Sequence, residues 1–337
     1  MTPRRIRFFA PLLLACASLA PAATSDLYLS ASINSSSRVM GSRTGDKDGI
    51  FKRAADGGFE HVGANLPLLI TLAVDPRDPS RIYAAGLSGV MRSVDSGETW
   101  RIVTGWDVTE PKALALDRVQ PDTVYAGLPD GFIVSDDLGQ TWERRENGLP
   151  ARGKYTQSLQ VDRTREGRVF AGCEKGIFLT EDGAHTWRQV FETVDTVNDI
   201  QQSPHDPARW IAVSQSAGAL ESRDGGLTWK RLPGVPSEHA LYNVAFDPLQ
   251  PGRLAIASWT YGLLTSDDDG LTWTDRNEGL PQPHRVWRTA VDPDDGRLYA
   301  AAYEKALYAS SDFGRTWKSI GMEGSVIRSF IFVPHAP

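Results

Sequence analysis

Two cysteines in 337 residues are too few for a disulfide framework. One, Cys16, falls in an apolar leader, so the other, Cys173, reads as a small buried apolar residue. Histidine is scarce as well. His61, His185, His205, His239, His284 and His335 include no pair at metal-ligand spacing, and neither a metal nor a cofactor is expected. Basic blocks are absent, and 36 Lys and Arg face 42 Asp and Glu. An acidic chain of this kind argues against nucleic acid and against adsorption on an anionic membrane surface. The longest apolar stretch, Phe8 to Ala20, is too short to span a bilayer.

That stretch belongs to a leader, MTPRRIRFFAPLLLACASLAPAATS. Arg4, Arg5 and Arg7 precede the apolar run, and small residues follow at Ala20, Ala22 and Ala23. The pattern predicts a signal peptide over 1–23, cleaved after Ala23, and an exported chain, periplasmic or secreted, over 24–337. The alternative is a lipoprotein, with Leu13 to Cys16 read as a lipobox and Cys16 as the lipid anchor. Cleavage at Ala23 leaves 33 basic against 42 acidic residues, a net charge of −9. At 41% hydrophobic residues the full chain has enough apolar surface for a core, which the mature part must hold by packing, most simply as a monomer.

What is present is a repeat. Ser93–Trp100 reads SVDSGETW, and the same frame returns as SDDLGQTW, TEDGAHTW, SRDGGLTW, SDDDGLTW and SSDFGRTW. Its aspartates, Asp95, Asp137, Asp182, Asp224, Asp268 and Asp312, are spaced 42, 45, 42, 44 and 44 apart. Its tryptophans are Trp100, Trp142, Trp187, Trp229, Trp273 and Trp317. A worn copy, AADGGFEH, carries Asp56. In SDDDGLTW only the middle acid recurs in all six copies, so Asp267 and Asp269 read as variable positions, and Asp267→Asn is expected to shift stability by no more than about 0.5 kcal/mol. A hairpin turn explains the frame. The aspartate accepts its own turn's N–H groups, the glycine supplies left-handed backbone, and the tryptophan packs beneath. A calcium loop needs more oxygen ligands than one recurring carboxylate.

A second repeat precedes each turn: LAVDPRDPSRIYAAG, LALDRVQPDTVYAG, LQVDRTREGRVFAG, IQQSPHDPARWIAV, VAFDPLQPGRLAIA and TAVDPDDGRLYAAA. Each is an alternating strand, a Pro/Asp/Gly turn and a second strand. With the strand before the Asp turn and the one after it, each unit holds four strands, the size of a propeller blade. The N-terminal unit lacks a first strand, and SVIRSFIFVP at the C-terminus is a first strand without a unit. The two fragments complete one blade and remove the free sheet edges. The sequence therefore predicts an all-β fold: a single seven-bladed β-propeller of four-stranded antiparallel blades, closed by the C-terminal strand.

On these residues the chain resembles the Asp-box (BNR-repeat) β-propellers, whose signature is Ser-x-Asp-x-Gly-x-Thr-Trp. That family includes sialidases, xyloglucanases and sortilin-type receptors. The Arg-Ile-Pro tripeptide that accompanies the sialidase arginine triad does not occur in this sequence. Xyloglucanases place their acids between two seven-bladed domains, and this chain has length for one. Single-domain exported members are similar to the photosystem II stability/assembly factor, which implies a non-catalytic binding and assembly role. A carbohydrate-active enzyme, sialidase- or xyloglucanase-like, is the alternative.

The loops that repeat least mark where a ligand would bind. The entrances to the first strands carry Lys112, Gln157, Asn198, Asp199, Tyr242, Asn243, Trp287, Arg288 and Arg328. The loops between second and third strands carry Asp130, Glu174, Lys175, Trp259, Tyr261, Tyr303, Glu304 and Lys305, and the longest is 34–49. Aromatics beside arginines suit a protein hot spot or a glycan. Should the chain be an enzyme, Glu174, Asp199 and Glu304, with Tyr303 or Tyr261 as nucleophile, are the candidates.

Overall fold

Second strands that read IYAAG, VYAGL, VFAGC, WIAVS, LAIAS and LYAAA are buried at every position. A strand buried on both faces has a neighbour on each side, and the computed structural model places one there. It describes residues 25–33 and 48–335. The leader, Cys16 and all but the end of the 34–49 loop lie outside the described residues.

Seven four-stranded antiparallel sheets form the propeller. Blade 1 holds β4 (Thr71–Val74), β5 (Ile82–Gly86), β6 (Gly89–Ser93) and β7 (Arg101–Ile102). Blade 2 holds β8 (Ala113–Leu116), β9 (Val124–Leu128), β10 (Gly131–Ser135) and β11 (Glu143–Arg144). Blade 3 holds β12 (Thr156–Val161), β13 (Val169–Cys173), β14 (Gly176–Thr180) and β15 (Arg188–Glu192). Blade 4 holds β16 (Val197–Gln202), β17 (Trp210–Ser214), β18 (Ala219–Ser222) and β19 (Lys230–Arg231). Blade 5 holds β20 (Leu241–Phe246), β21 (Leu254–Ser258), β22 (Gly262–Ser266) and β23 (Thr274–Asp275). Blade 6 holds β24 (Val286–Val291), β25 (Leu298–Ala302), β26 (Leu307–Ser310) and β27 (Lys318–Ser319). The closing blade joins β28 (Ser325–Pro334) to β1 (Ser25–Ile33), β2 (Asp48–Arg53) and β3 (Phe59–Val62), with Ser25 opposite Pro334. Closure by the C-terminal strand is thus as the repeat predicts. Among the described residues no helix is long and apolar enough to cross a membrane.

The core is distributed over the blade-to-blade seams. Tyr125, Phe132 and Val134 of blade 2 pack on Val161, Phe178 and Trp187 of blade 3. Phe170 and Leu179 of blade 3 pack on Trp210 and Trp229 of blade 4, and the other five seams repeat the scheme. Five of the seven outermost strands are two residues long, as in KR and TD, and face solvent, while β3 and β15 run to four and five residues.

Each Asp turn is a small hydrogen-bonded cage. In blade 1 the Ser93 hydroxyl donates to Asp95 Oδ1 (2.7 Å) and accepts the Gly97 N–H (2.9 Å). The Thr99 N–H and hydroxyl donate to the two oxygens of Asp95, at 2.9 and 2.5 Å. The scheme recurs at Asp137, Asp182, Asp224, Asp268 and Asp312. Two successive residues, and not the glycine alone, adopt left-handed backbone, as in Ser96 (φ 60) and Gly97 (φ 91); in blade 3 the second position is Ala184 (φ 71). Packing also selects glycine: a Cβ on Gly139 would stand 2.6 Å from Tyr83 of the preceding blade. The six tryptophans are unequal. Trp187 and Trp229 are buried and the other four half-buried. Trp187 and Trp317 donate their indole N–H across a seam, to the carbonyls of Arg145 and Arg276.

Asp267 and Asp269 are not idle. Asp267 accepts from Arg253 (3.1 Å), Arg276 (2.7 Å) and Arg315 (3.3 Å), and Asp269 pairs with Arg209 and Arg223 of blade 4. The expectation of a near-neutral Asp267→Asn is therefore corrected: a position that varies among copies here ties arginines from two blades.

The cages make the fold acid-sensitive. In Asp95 the Thr99 hydroxyl is the main cause of a pKa lowered to about 2. In Asp137, Asp224 and Asp312 burial pushes upward first, but the hydroxyl and N–H donors outweigh it and the pKa again settles at about 2. A carboxyl more acidic when folded than when unfolded stabilises the fold above its ordinary value of 3.8, and that contribution fades as pH falls toward 2. Thermal melts should thus hold their midpoint down to about pH 4 and fall steeply below it. A midpoint that stays flat to pH 2 would contradict the cages.

Candidate functional site at the channel mouth

The first strands of the blades surround a central channel enclosing about 790 Å³. Five of the seven enter it through the same irregularity. In β12, β16, β20, β24 and β28 the pairing skips one residue: Gln157, Asn198, Tyr242, Trp287 and Arg328 respectively. A β-bulge of this kind turns one side chain out of the ladder. In blades 1 and 2 the equivalent residues, Ile70 and Lys112, lie just before the strand, and their N–H groups donate to Ala85 and Gly127. All seven line the channel.

An aromatic cluster occupies one side of this ring. Tyr242 and Trp287 lie 4.7 Å apart between centroids, Trp259 and Tyr303 lie 4.8 Å apart, and Trp259 meets Trp287 edge-on at 6.0 Å. Two ring faces are already capped: Arg285 lies over Trp259 and Arg288 over Trp287, each at 5.0 Å. The indole N–H of Trp287 is buried with no hydrogen-bond partner. Such a donor costs stability unless something accepts from it.

Below the cluster a hydrogen-bonded belt ties the first strands together. Asp199 accepts four donors: the Ile200 N–H and Gln201 amide (both 3.0 Å) on Oδ1, the Asn243 amide (3.2 Å) and Val244 N–H (3.0 Å) on Oδ2. Asn243 in turn accepts from the Thr289 N–H. Arg288 Nε donates to the Arg328 carbonyl (2.9 Å), and Arg328 donates to the Ser32 hydroxyl (2.8 Å). Asp199 lies deep in the wall with part of its surface on the lumen. Burial pushes its carboxyl above the ordinary range, against the pull of the Val244 N–H, Gln201 and Arg288. Burial lowers the Arg288 pKa, opposed by Asp199 and Tyr242.

The structure thus brings Lys112, Gln157, Asn198, Asp199, Tyr242, Asn243, Trp287, Arg288 and Arg328 onto one channel. Trp259 and Tyr303 join through the aromatic cluster. The remaining nominees do not line it. Tyr261 donates its hydroxyl to Glu238 (3.0 Å), and Asp130 pairs with Arg144 (2.9 Å). Glu174 is exposed on the turn between β13 and β14, and Glu304 sits in left-handed backbone (φ 54) beyond β25. Three residues escaped the sequence reading. Arg285 is recognisable only once Trp259 is placed beneath it. Tyr155, with Lys112 at 6.0 Å from its ring, lies one step before its strand. Trp106 stands 94% exposed in the connection from blade 1 to blade 2; it is a tryptophan outside both repeats, which was the available signal.

No protein-family model matches the sequence, and no curated protein sequence does. Solved structures do match. An ancestral GH74 enzyme is similar over 80% of this chain (17% identity, TM-score 0.62). The GH74 xyloglucanase from Xanthomonas campestris is similar over 85% (18% identity, TM-score 0.62). This chain spans only 38% and 51% of those two. YCF48 bound to D1 peptide is similar over 75% of this chain and 83% of its own length (19% identity, TM-score 0.56). At such identities the likeness establishes a seven-bladed propeller with four-stranded blades.

Proposed function

We propose that this protein is a non-catalytic binding or assembly propeller that grips a protein segment at the aromatic mouth of its channel. The observation that carries the reading is the cluster of Tyr242, Trp259, Trp287 and Tyr303, flanked by Arg285 and Arg288, with an unsatisfied Trp287 donor among them. Tryptophan, tyrosine and arginine are the residues that dominate protein hot spots. A glycan platform needs a free ring face, and arginines cover two of these. The channel lining adds Lys112, Arg288 and Arg328 near the mouth and one acid, Asp199, which favours a segment bearing carboxylates. The YCF48 propeller solved with a D1 peptide supports a single propeller as a peptide receptor. Export through residues 1–23, with 24–337 as the mature propeller, belongs to the same reading.

The GH74 neighbours favour a second reading, glycoside hydrolysis. Against it, only Asp199 of the nominated acids lines the channel, and its oxygens are occupied by four donors. The two readings separate in one experiment. A partner cross-linked to wild-type protein in the exported fraction should bind Trp259→Ala and Trp287→Ala variants at least about thirtyfold more weakly, while a glycan panel shows no new reducing ends. Undiminished binding overturns the site, and glycan cleavage lost in Asp199→Asn overturns the non-catalytic reading.

A further inference from the structure

The other end of the channel departs from the repeat in a way the fold does not require. The turns between first and second strands share a face with the Asp turns, because the Asp-turn N–H groups donate to them: Ser96 to Ser80, Leu138 to Asp122, Asp269 to Gly252. On that face each first strand ends in one ring position. Five blades place proline there, at Pro76, Pro204, Pro248, Pro293 and Pro334. Blades 2 and 3, which are adjacent, place Arg118 and Arg163. Both line the channel.

These arginines are not there to satisfy acids. Among the described residues Arg118 has neither an ion pair nor a side-chain hydrogen bond, in a chain with excess carboxylate. Arg163 donates Nε to the Gln202 amide oxygen (3.3 Å) and an η nitrogen to the Ser203 carbonyl, so its fork is held rigid with donors to spare. Gln202 is itself buried and pinned by its bonds to Asp162 (3.1 Å) and to the Pro207 carbonyl (3.0 Å). The two cations face no neutralising group on the lining, where Asp199 is the single acid. Arg163 is lowered in pKa first by burial and then by the charge of Arg118, with the neighbouring Asp162 pulling the other way. Two guanidinium groups lining one channel at the same ring position of adjacent blades, one preorganised and one unengaged, fit a compact doubly charged oxyanion.

We infer that Arg118 and Arg163 form a phosphate-class anion site at the mouth of the channel opposite the aromatic cluster. The site takes either free phosphate or a phosphate monoester, whose oxygens bridge the two forks while the prolines of the other blades leave the rest of the ring uncharged. It is independent of what binds at the aromatic mouth.

The test is calorimetric titration of the whole protein with inorganic phosphate and, separately, glycerol 1-phosphate at fixed ionic strength. Wild type should bind, and Arg118→Gln should weaken binding at least about tenfold. The Arg118 side chain holds no protein group, so this variant should melt with wild type in phosphate-free buffer, and phosphate should raise the midpoint of wild type more than that of the variant. Arg118→Gln with Arg163→Gln should abolish binding, and Trp259→Ala should leave it unchanged. Binding of the free ion alone means a site closed around phosphate; binding of both probes means one open to an ester, and either result supports it. No phosphate binding by wild type, or equal binding by Arg118→Gln, overturns it.

Discussion

Alanine at Trp210 or at Trp229 is expected to cost about 3–5 kcal/mol each, measured as the shift in chemical denaturation. Both rings fill the seam between blades 3 and 4. Trp210 is fully buried with its centroid 4.4 Å from Phe170, and Trp229 meets the same ring edge-on at 6.2 Å. Each also donates its indole N–H locally, to the Pro207 carbonyl (3.1 Å) and the Gly226 carbonyl (3.0 Å). Truncation of Trp229 therefore leaves a cavity and an orphaned acceptor together, whereas the Pro207 carbonyl keeps the Gln202 amide (3.0 Å) when Trp210 is removed. The seam has little capacity to collapse, since a single Cβ on Gly226 would already stand 2.2 Å from Phe170. Because both rings share Phe170, the double variant should lose less than the sum of the two. Trp273 belongs to the same repeat but is half-buried, and its alanine variant should lose about half as much. Equal losses at Trp229 and Trp273 would mean that the turn's hydrogen bonds, and not the seam, set the cost.

The contrast marks what a repeat can and cannot disclose. Periodicity located the blades, the closing strand and the Asp turns because each is a local pattern copied six times. It also located the ring of Lys112, Gln157, Asn198, Tyr242, Trp287 and Arg328, since a residue that varies at a fixed place in the repeat must face something other than the next blade. The bulge that turns all of these but Lys112 out of the ladder is not legible: it is a mismatch in pairing, which no single strand's sequence records. The unequal burial of the six tryptophans was hidden for the same reason, because burial depends on what the adjacent blade presents. Asp267 shows the reverse error. Its variation among copies suggests indifference, yet two of its three arginine partners, Arg276 and Arg315, stand at positions that vary as well. Pairings specific to one seam are invisible to a comparison that averages over seams.

Arg168 is where an ion pair within one blade should weigh most; the same spacing pairs Arg81 with Asp75 and Arg253 with Asp247, but there the arginines are less buried. It is 2% exposed, and it donates to Asp162 (2.8 Å, 1% exposed), to Glu181 (3.1 Å) and to the Gly225 carbonyl in the Asp turn of blade 4. Its guanidinium also lies 5.0 Å from the centre of the Phe170 ring, so the ion pair and the Trp210–Trp229 seam share a wall. Arg168→Met keeps the stem's packing and removes the charge. Asp162 retains the Thr164 N–H (2.9 Å), the Thr164 hydroxyl (2.7 Å) and the Gln202 amide (3.1 Å), but it remains a buried carboxylate without its cation. Breaking a buried pair from one side should cost about 3–5 kcal/mol. Two controls separate charge from packing. Adding Asp162→Asn to Arg168→Met should recover part of the loss, because the uncompensated charge is gone. Raising salt should leave the wild-type contribution largely intact, unlike that of the exposed Arg223–Asp269 pair on the rim, because a buried pair is poorly screened. Acid should act in the opposite sense on the two proteins. Burial pushes the Asp162 carboxyl up, and in wild type the Thr164 donors and Arg168 outweigh it, so it stays charged and its contribution is lost only as pH falls below the ordinary 3.8. With the arginine removed the upward push gains, and the variant should approach wild type as the acid range neutralises Asp162. A loss below about 1 kcal/mol at neutral pH, or a gap from wild type that does not narrow in acid, would mean that the Phe170 wall carries this seam without the ion pair.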